Sequence, residues 1–443
     1  MADFIEVNAD LHIHGCYAGA TSANMVPSII GEQAKLKGLH LLGTGDILHP
    51  QWMKLVKEQL KKVDDGTFEH PNGMRFVLQV EVEDSDRVHH LIIFPSLSKV
   101  DEVKEALSAF TSFSSDGRPK VNRNGAEIAD VCIDAECLLG FAHAFTPYFG
   151  LFSKFDSYAA CYGERWRDIS FLELGLSADT NMADSISALH NLTFISASDG
   201  HSPWPNKLGR EFTRFAMKDI TFEELAKALR REGGRVATLN VKFNPLEGKY
   251  HKTRCRDCLT FFNIQDAKSY RWRCPVCHGT IKKGVVDRVA ELTDLPAHQH
   301  PPHRPQCIHI IPLAEIIAIA IGTKQLFSEK VKTLWEGFVK RFGSEIDVLI
   351  NIPIPRLREV NEKIADLIDL FRNDRFLYIP GGAGEYGIPV APGMHAEMKV
   401  WKGNKVERIV IDNRSNINST NTSNTSAENE ISSGQKSLKE FFE

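Results

Sequence analysis

The sequence predicts an α/β chain in three parts: a (β/α)7 barrel, a four-cysteine zinc-ribbon module, and a mainly helical C-terminal domain with a disordered tail. Three observations predict this. Seven apolar runs alternate with amphipathic stretches over residues 1–245. Two CxxC pairs follow within residues 246–288. Long helical patterns such as EKVKTLWEGFVKRF then fill residues 289–412, before a tract of Ser, Thr and Asn.

The bulk numbers allow this plan and exclude others. A chain of 443 residues makes two or three domains. Apolar content of 42% and charged content of 25% are ordinary globular usage. The net charge of −4 gives no global basic field, so a polyanion site has to be a local patch. The longest apolar run, IIPLAEIIAIAI, is broken by Glu315 and is too short to span a bilayer. No secretory signal is visible, so a cytoplasmic protein without a membrane segment is expected. Five of the nine cysteines (Cys16, Cys132, Cys137, Cys161 and Cys307) are scattered, while the paired four read as metal ligands in a reducing compartment.

The first part rests on the runs ADLHIH, LHLLGTGD, RFVLQVEVE, VHHLIIFP, GFAHAF, FLELGL and LTFISASDGH. Helix-like segments such as VPSIIGEQAKLKG and KVDEVKEALSAF lie between them. Strand–helix alternation implies a mostly parallel sheet. In a parallel barrel the strands end on one face, where the loops build the site. Polar residues sit at or beyond the end of each run: His12 and His14, Asp46, Glu81, His90, His143, Glu173, Asp199 and His201. Each has a plain structural reading, for example Asp199 capping a helix. Together they become one cluster. Imidazole with carboxylate suits zinc, manganese or iron. More than four such ligands exceed what one tetrahedral zinc needs, so two or three ions are expected. Paired ions generate a nucleophile from water and hold the leaving oxygen in attack on phosphorus. Glu173 lies inside its run and reads as a partner of a neighbour. Alternation lets one of His89 and His90 face inward, and His90, leading directly into LIIF, is the favoured one. His49 is a weaker candidate than Asp46.

The motifs DLHIH, TGD, VEV, VHHL, FAH and SASDGHS resemble the successive motifs of the PHP (polymerase and histidinol phosphatase) superfamily. That resemblance implies a distorted seven-stranded barrel with a trinuclear metal site. The family's TDH stands here as Thr44-Gly45-Asp46, and position 20, where a further His is usual, is Ala.

In the second part, Cys255, Cys258, Cys274 and Cys277 have four-thiolate zinc spacing. Thiolates at about 2.3 Å close a tetrahedron with no open position, so this zinc is structural. Residues 251–288 carry nine Lys or Arg, among them Arg254, Arg256, Arg271 and Arg273, against three Asp. Phe261, Phe262, Tyr270 and Trp272 lie between them. Cations neutralise phosphates and aromatics offer stacking surfaces, so the module is expected to touch nucleic acid.

In the third part, the loop GGAGEYG at 381–387 lacks the Gly-Lys-Ser/Thr of a phosphate loop and reads as a turn. Eleven of the twelve residues at 415–426 are Ser, Thr or Asn, which makes 413–434 a linker that cannot bury a core. Residues 435–443 then regain apolar character. Gln435, Leu438, Phe441 and Phe442 match the QxxLxxFF pattern of peptides that bind the sliding clamp PCNA. The last three form one apolar face of a helical turn, suited to a hydrophobic pocket.

Taken over the whole chain, barrel, ribbon, helical part and clamp peptide are similar to the archaeal endonuclease Q family of DNA-repair enzymes. The resemblance implies nicking of DNA 5′ to deaminated bases (uracil, hypoxanthine, xanthine) and abasic sites, leaving 3′-hydroxyl and 5′-phosphate ends. It implies ions held by His12, His14, Asp46, Glu81, His90, His143, Asp199 and His201, with Asp199, Glu81 and His143 central to catalysis and Glu81 bridging. Zinc is expected structurally and in the active site, with Mn2+ or Mg2+ supporting activity. Lys207 and Arg210, just beyond SDGHS, could clamp phosphate. A flipped base would meet loop 175–181, Tyr148, Phe149 and Trp204. The partners are double- and single-stranded DNA and PCNA. Two other classes compete: a phosphatase of small metabolites, which needs neither ribbon nor clamp peptide, and a non-catalytic DNA adaptor, which needs no convergent ligands.

Overall fold

A computed structural model of the chain describes residues 3–296 and 299–413. The peptide at 435–443, with Gln435, Leu438, Phe441 and Phe442, and the linker beyond Asn413 lie outside the described residues.

The apolar runs become strands. In chain order they are β1 (Ile5–Asp10), β2 (Leu41–Gly43), a short hairpin of β3 (Lys61–Lys62) and β4 (Thr67–Glu69), β5 (Arg75–Glu83), β6 (His89–Phe94), β7 (Leu138–Phe141), β8 (Phe171–Glu173), β9 (Thr193–Ile195), β10 (Phe212–Met217) and β11 (Val236–Lys242). The cysteine segment adds β12 (Arg254–Cys255), β13 (Thr260–Phe261) and β14 (Ile281–Lys282). The C-terminal part adds β15 (Gln306–His309), β16 (Leu377–Ile379), β17 (Ile388–Val390), β18 (His395–Trp401) and β19 (Val406–Asp412).

The large sheet has the order β15-β11-β10-β1-β2-β5-β6-β7-β8-β9, with β4 on β5. It curls into the expected distorted barrel. The β9 end returns to β10 and β11 through side chains: Ser196 N donates to Thr213 Oγ1 at 2.8 Å and Asn240 Nδ2 to Phe194 O at 3.1 Å. The sheet is mixed instead of mostly parallel. β1, β2 and β5 are parallel, as are β7, β8 and β9, but β6 runs antiparallel to both neighbours. The cause is local: only residues 84–88 separate β5 from β6, and a parallel crossover needs about a dozen.

Alternation sorts the side chains. Val77 of β5 and Leu91 and Ile93 of β6 join Val7, Ala9, Leu41 and Phe171 in an inner cluster, closed by Leu225 and Leu229 of the helix Phe222–Arg230. Phe76, Leu78, Ile92 and Phe94 face the other way, into the core shared with the surrounding helices.

The helix Leu313–Ile321 buries residues all round its circumference, as a core helix does. No helix among the described residues is long and apolar enough to cross a membrane. A buried pair, Lys37 Nζ to Glu345 Oε1 at 2.8 Å, ties the barrel to the helical part, and Trp335 Nε1 donates to the other Glu345 oxygen at 2.6 Å.

The C-terminal part is helical between Leu313 and Arg372, with strands on either side that join other sheets. β15 joins the barrel sheet beside β11. The β18–β19 hairpin completes a second sheet, β14-β12-β13-β18-β19, with the cysteine module. That hairpin covers the otherwise open edge of β13.

Candidate metal centre

The floor of the barrel mouth is laced before any ligand is placed. Asp10, at the end of β1, accepts from Ser198 N at 2.9 Å and Gly209 N at 3.0 Å. His14 N donates to Gly200 O at 2.9 Å. These bonds set the HxH segment beside the SDGH segment, although nearly the whole barrel separates them in sequence. A Cβ on Gly15 would stand 2.6 Å from the Trp52 ring, so glycine is needed for the turn after His14. Asp46, His143 and Asp199 hold positive φ of 41°, 29° and 48°, backbone that L residues rarely adopt and that collects at functional sites.

Three triads share members: His12, His14 and Glu81; His14, Asp199 and His201; Glu81, His89 and His143. Within each triad the ligand atoms lie within 4.8 Å of one another. Glu81 Oε1 lies 2.7 Å from His89 Nδ1 and 2.9 Å from His143 Nε2, and its Oε2 lies 3.3 Å from His14 Nε2. Asp199 Oδ1 lies 3.3 Å from His14 Nε2 and 3.5 Å from His201 Nδ1.

Behind these groups stand the residues that orient them. His12 Nδ1 donates to Glu173 Oε2 at 2.7 Å, and His14 Nδ1 to Asp46 Oδ1 at 3.0 Å. Each imidazole is thereby fixed with Nε2 free toward Glu81 and Asp199, the tautomer a metal requires. His12 Nε2, His14 Nε2 and Asp199 Oδ1 are buried and meet no hydrogen-bond partner. A buried lone pair without a donor costs about 1–3 kcal/mol. A divalent cation satisfies all three, so the donor set fits ions. The charges fit as well. Burial alone favours neutral His12, yet Glu173 and Glu81 set a negative field that holds it well above the usual histidine range, a field in which a metal cation can take the place of the Nε2 proton. Burial also opposes ionised Glu81, yet His89 and His12 hold it well below the usual carboxylate range.

Two expected ligands fall outside the three triads. His90 points away: its Nε2 meets Asp84 Oδ2 at 3.0 Å and its Nδ1 the Tyr162 hydroxyl at 2.9 Å. His89 takes the place beside Glu81. The antiparallel pairing sets Glu81 opposite Leu91, and alternation then puts His89 on the Glu81 face. Asp46 has both oxygens engaged, one on His14 and the other accepting from Gly15 N at 2.6 Å, so it stands behind His14 and outside the three triads. Glu173 plays the same part for His12. The structure brings His12, His14, Glu81, His143, Asp199 and His201 together.

The cysteine module is a second, closed centre. Cys255 and Cys277 sulfurs lie 3.5 Å apart, and Cys258 and Cys274 sulfurs 3.6 Å apart. Four thiolates around zinc at about 2.3 Å would be separated by about 3.8 Å, so the cage has the size of that ion.

Residues 312–375 match the family model of the MJ0043 C-terminal domain. The uncharacterized protein MJ0043 of Methanocaldococcus jannaschii is 45% identical over 250 residues, which are 55% of this chain and 31% of that one, so the match spans about a third of the relative. The crystal structure of the lesion-specific endonuclease PfuEndoQ from Pyrococcus furiosus is 48% identical, with a TM-score of 0.84 over 88% of this chain and 96% of that one. This chain belongs to the endonuclease Q family. A second endonuclease Q structure, also 48% identical with a TM-score of 0.84 over 88% of this chain and 97% of that one, holds a 27-mer duplex with an abasic lesion at its active site.

In this endonuclease Q chain the ligand cluster opens into a cavity of about 390 Å³. Lys207, Arg210 and Phe149 line it, as do Gly175, Leu176 and Ser177 of the expected loop. Tyr148 and Trp204 do not line it. Sequence reasoning missed Arg118, Lys249, Tyr250 and Tyr386, which do. Arg118 Nη1 lies 3.4 Å from Glu81 Oε2.

The ribbon cations sit elsewhere. Arg256, Arg271 and Arg273 are exposed on the module, while Arg254 Nε donates to Leu259 O at 2.9 Å and its guanidinium lies over Phe261. Phe261 and Phe262 are buried and offer no stacking surface, because β18 and Trp401 cover them.

Proposed function

We propose that this chain is a metal-dependent DNA-repair endonuclease. It hydrolyses the phosphodiester 5′ to deaminated bases (uracil, hypoxanthine, xanthine) and abasic sites, leaving 3′-hydroxyl and 5′-phosphate. The observation that carries the reading is the convergence of three ligand triads at the floor of a cavity whose walls bear Arg118, Lys207, Arg210 and Lys249. The family relatives described as a lesion-specific endonuclease and as a complex with abasic DNA support it.

His12, His14, Glu81, His89, His143, Asp199 and His201 would hold the ions, with Glu81, common to two triads, between them. Such ions, zinc, Mn2+ or Mg2+, supply a nucleophile from water at neutral pH and charge against the leaving oxygen. The chain's own cations do the rest. Arg118 reaches toward the ligand cluster, and Lys207 and Arg210 hold phosphate. A lesion base leaves the stack at least cost when it is poorly paired, and the cavity lies in the usual size range of small-ligand pockets. Zinc at Cys255, Cys258, Cys274 and Cys277 holds the ribbon, whose exposed arginines would meet the duplex. The peptide at 435–443 recruits the enzyme to the sliding clamp.

The test uses purified protein with Mn2+, Mg2+ or Zn2+ on duplexes carrying uracil, hypoxanthine, an abasic site or no lesion, with end groups read out. Nicks confined to lesion strands, with 3′-hydroxyl ends, are expected. Equal cutting of undamaged duplex, or hydrolysis of small phosphomonoesters alone, overturns the reading. Deleting 435–442 should abolish clamp pull-down and leave basal nicking intact.

A further inference from the structure

The glycine-rich loop at 381–387 reads as a plain turn, yet it is stitched to the chain that leaves the barrel. Gly381 N donates to Leu246 O at 2.7 Å, Gly384 N to Lys249 O at 2.8 Å and Gly387 N to Glu247 O at 2.9 Å. A Cβ at Gly381 would stand 2.3 Å from Gly248 O, and one at Gly387 2.2 Å from Leu246 O. Glycine at both positions is what lets two backbones approach this closely.

This docking delivers Tyr386 to the mouth of the metal centre. Arg210 Nη1 lies 3.4 Å from the Tyr386 hydroxyl oxygen. Lys207 Nζ stands 5.5 Å and Lys249 Nζ 5.8 Å from the Tyr386 ring centre, within reach of its negative face. Arg210 is 5% exposed, and its Nε donates to Ser198 O at 3.1 Å, one residue from Asp199. Among the described residues, none of these three cations forms an ion pair with a carboxylate. Asp199 and Glu211 act on Arg210, and Glu315 on Lys207, only from beyond ion-pair distance. Three cations gathered around one ring with no carboxylate in contact are costly when partly buried, unless the ligand brings the anion. Burial and the charge of Arg210 hold the Lys207 ammonium below the usual lysine range, against the weaker pull of Tyr386 and Glu315.

We propose that Lys207, Arg210 and Lys249, ordered by the Tyr386 ring, form a second anion seat, which takes the phosphodiester next to the scissile one. The inference rests on the nuclease reading. The ligand triads hold the scissile phosphate, and the Ser198–Asp199 step joins them to Arg210, so the seat takes an adjacent phosphate of the same strand. Tyr386 is a positioning residue. It touches the cations, and through it the C-terminal part of the chain completes a site whose metal ligands all come from the barrel.

The experiment is a chemical double-mutant cycle on the full chain. Lesion duplexes carry a single uncharged methylphosphonate, moved one phosphate at a time along the strand to be nicked. In the wild type, one position adjacent to the nick should raise KM about tenfold with little change in kcat. In Lys249→Ala that position should cost nothing further, while every other position behaves as in the wild type. The slope of log affinity against log salt should flatten by about 0.9, the value for one lost phosphate contact. Tyr386→Ala should reproduce most of the loss, and Tyr386→Phe, which keeps the ring, should restore most of it. Losses in Lys249→Ala that multiply with every methylphosphonate position, or an unchanged salt slope, overturn the seat. If Tyr386→Ala melts early, Lys249→Ala carries the test. Measuring Kd in parallel separates the two readings. A cycle that closes at one position in a protein that nicks nothing keeps the seat and ends the nuclease reading. Lesion nicking without such a position does the reverse.

Discussion

The four cysteines of the ribbon come from positions 255 to 277, face one another in a cage, and leave no ligand atom over. The groups at the barrel mouth come from positions 12 to 201, share members among three triads, and leave buried lone pairs without partners. The first arrangement is closed and local, so its ion can only hold structure. The second is open and assembled by topology, and a cavity lies over it, so its ions can meet a substrate. The contrast predicts that losing metal from one centre costs fold, while losing it from the other costs rate.

The largest effect should come from the closed centre. Cys274 is buried, and Cys274→Ser leaves three thiolates and no tetrahedron. Structural zinc supplies on the order of 10 kcal/mol to the folding of small modules, so the ribbon and the β18–β19 hairpin paired to it should melt together. Thermal unfolding with zinc quantification reads this out. A melt like that of the wild type, with zinc stoichiometry reduced, would break the contrast.

At the open centre the sharpest comparison is between two adjacent histidines. His89→Ala removes a member of the triad with Glu81 and His143 and should lower the nicking rate about a hundredfold, with the melting temperature nearly kept. His90→Ala removes the bonds to Asp84 and Tyr162 and should do the opposite, destabilising by about 1–3 kcal/mol while leaving nicking within a few-fold. Equal losses of rate would mean that the phase of β6 is not what places the ligand.

How much of this is legible in the sequence depends on how far the signal travels. The cysteine spacing is complete within one segment and could be read directly. The barrel ligands were legible as a set, because apolar runs ending in His, Asp or Glu point to one face. The phase of β6 was misread although its signal is present: the gap at 84–88 is too short for a crossover. Asp46 could not be told from a ligand, since carboxylates that bind metal and carboxylates that hold an imidazole are the same residue type, whereas Glu173, lying inside its run, could. Only position separates them. Tyr386 was hidden for a stronger reason. GGAGEYG says that a backbone comes close to something, but not to what. Phe261 and Phe262 looked like stacking surfaces until β18, nearly 140 residues later in the chain, turned out to cover them.

A smaller loss is expected one layer back from the ligands. Glu173→Gln keeps the shape behind His12 and removes the charge that fixes its tautomer. Partners of this kind cost about ten- to a hundredfold in metal affinity or activity when changed. Titrating Mn2+ against nicking should show the loss largely recovered at high metal. A loss that no metal concentration recovers would make Glu173 part of the chemistry instead.

The smallest effect links the two regions. His251 leads into the ribbon, and its Nδ1 donates to Ser177 O at 3.2 Å, on the loop that walls the cavity. Burial pushes its pKa down to about 4 from the ordinary 6.5. A histidine depressed in the fold binds its proton more readily when unfolded. Its contribution is therefore fully present above the unfolded value and is lost as pH falls toward the folded one. Between about pH 7 and about pH 5.5 the loss amounts to roughly 1 kcal/mol. His251→Asn, which can still donate to Ser177 O but cannot titrate, should be less stable overall at neutral pH yet lack this slope. The difference between the two proteins isolates the effect from the histidines of the metal centre. Paired thermal melts at the two pH values check it. Parallel stability curves would mean that His251 is already solvated in the folded protein, and that the ribbon does not hold the cavity loop through it.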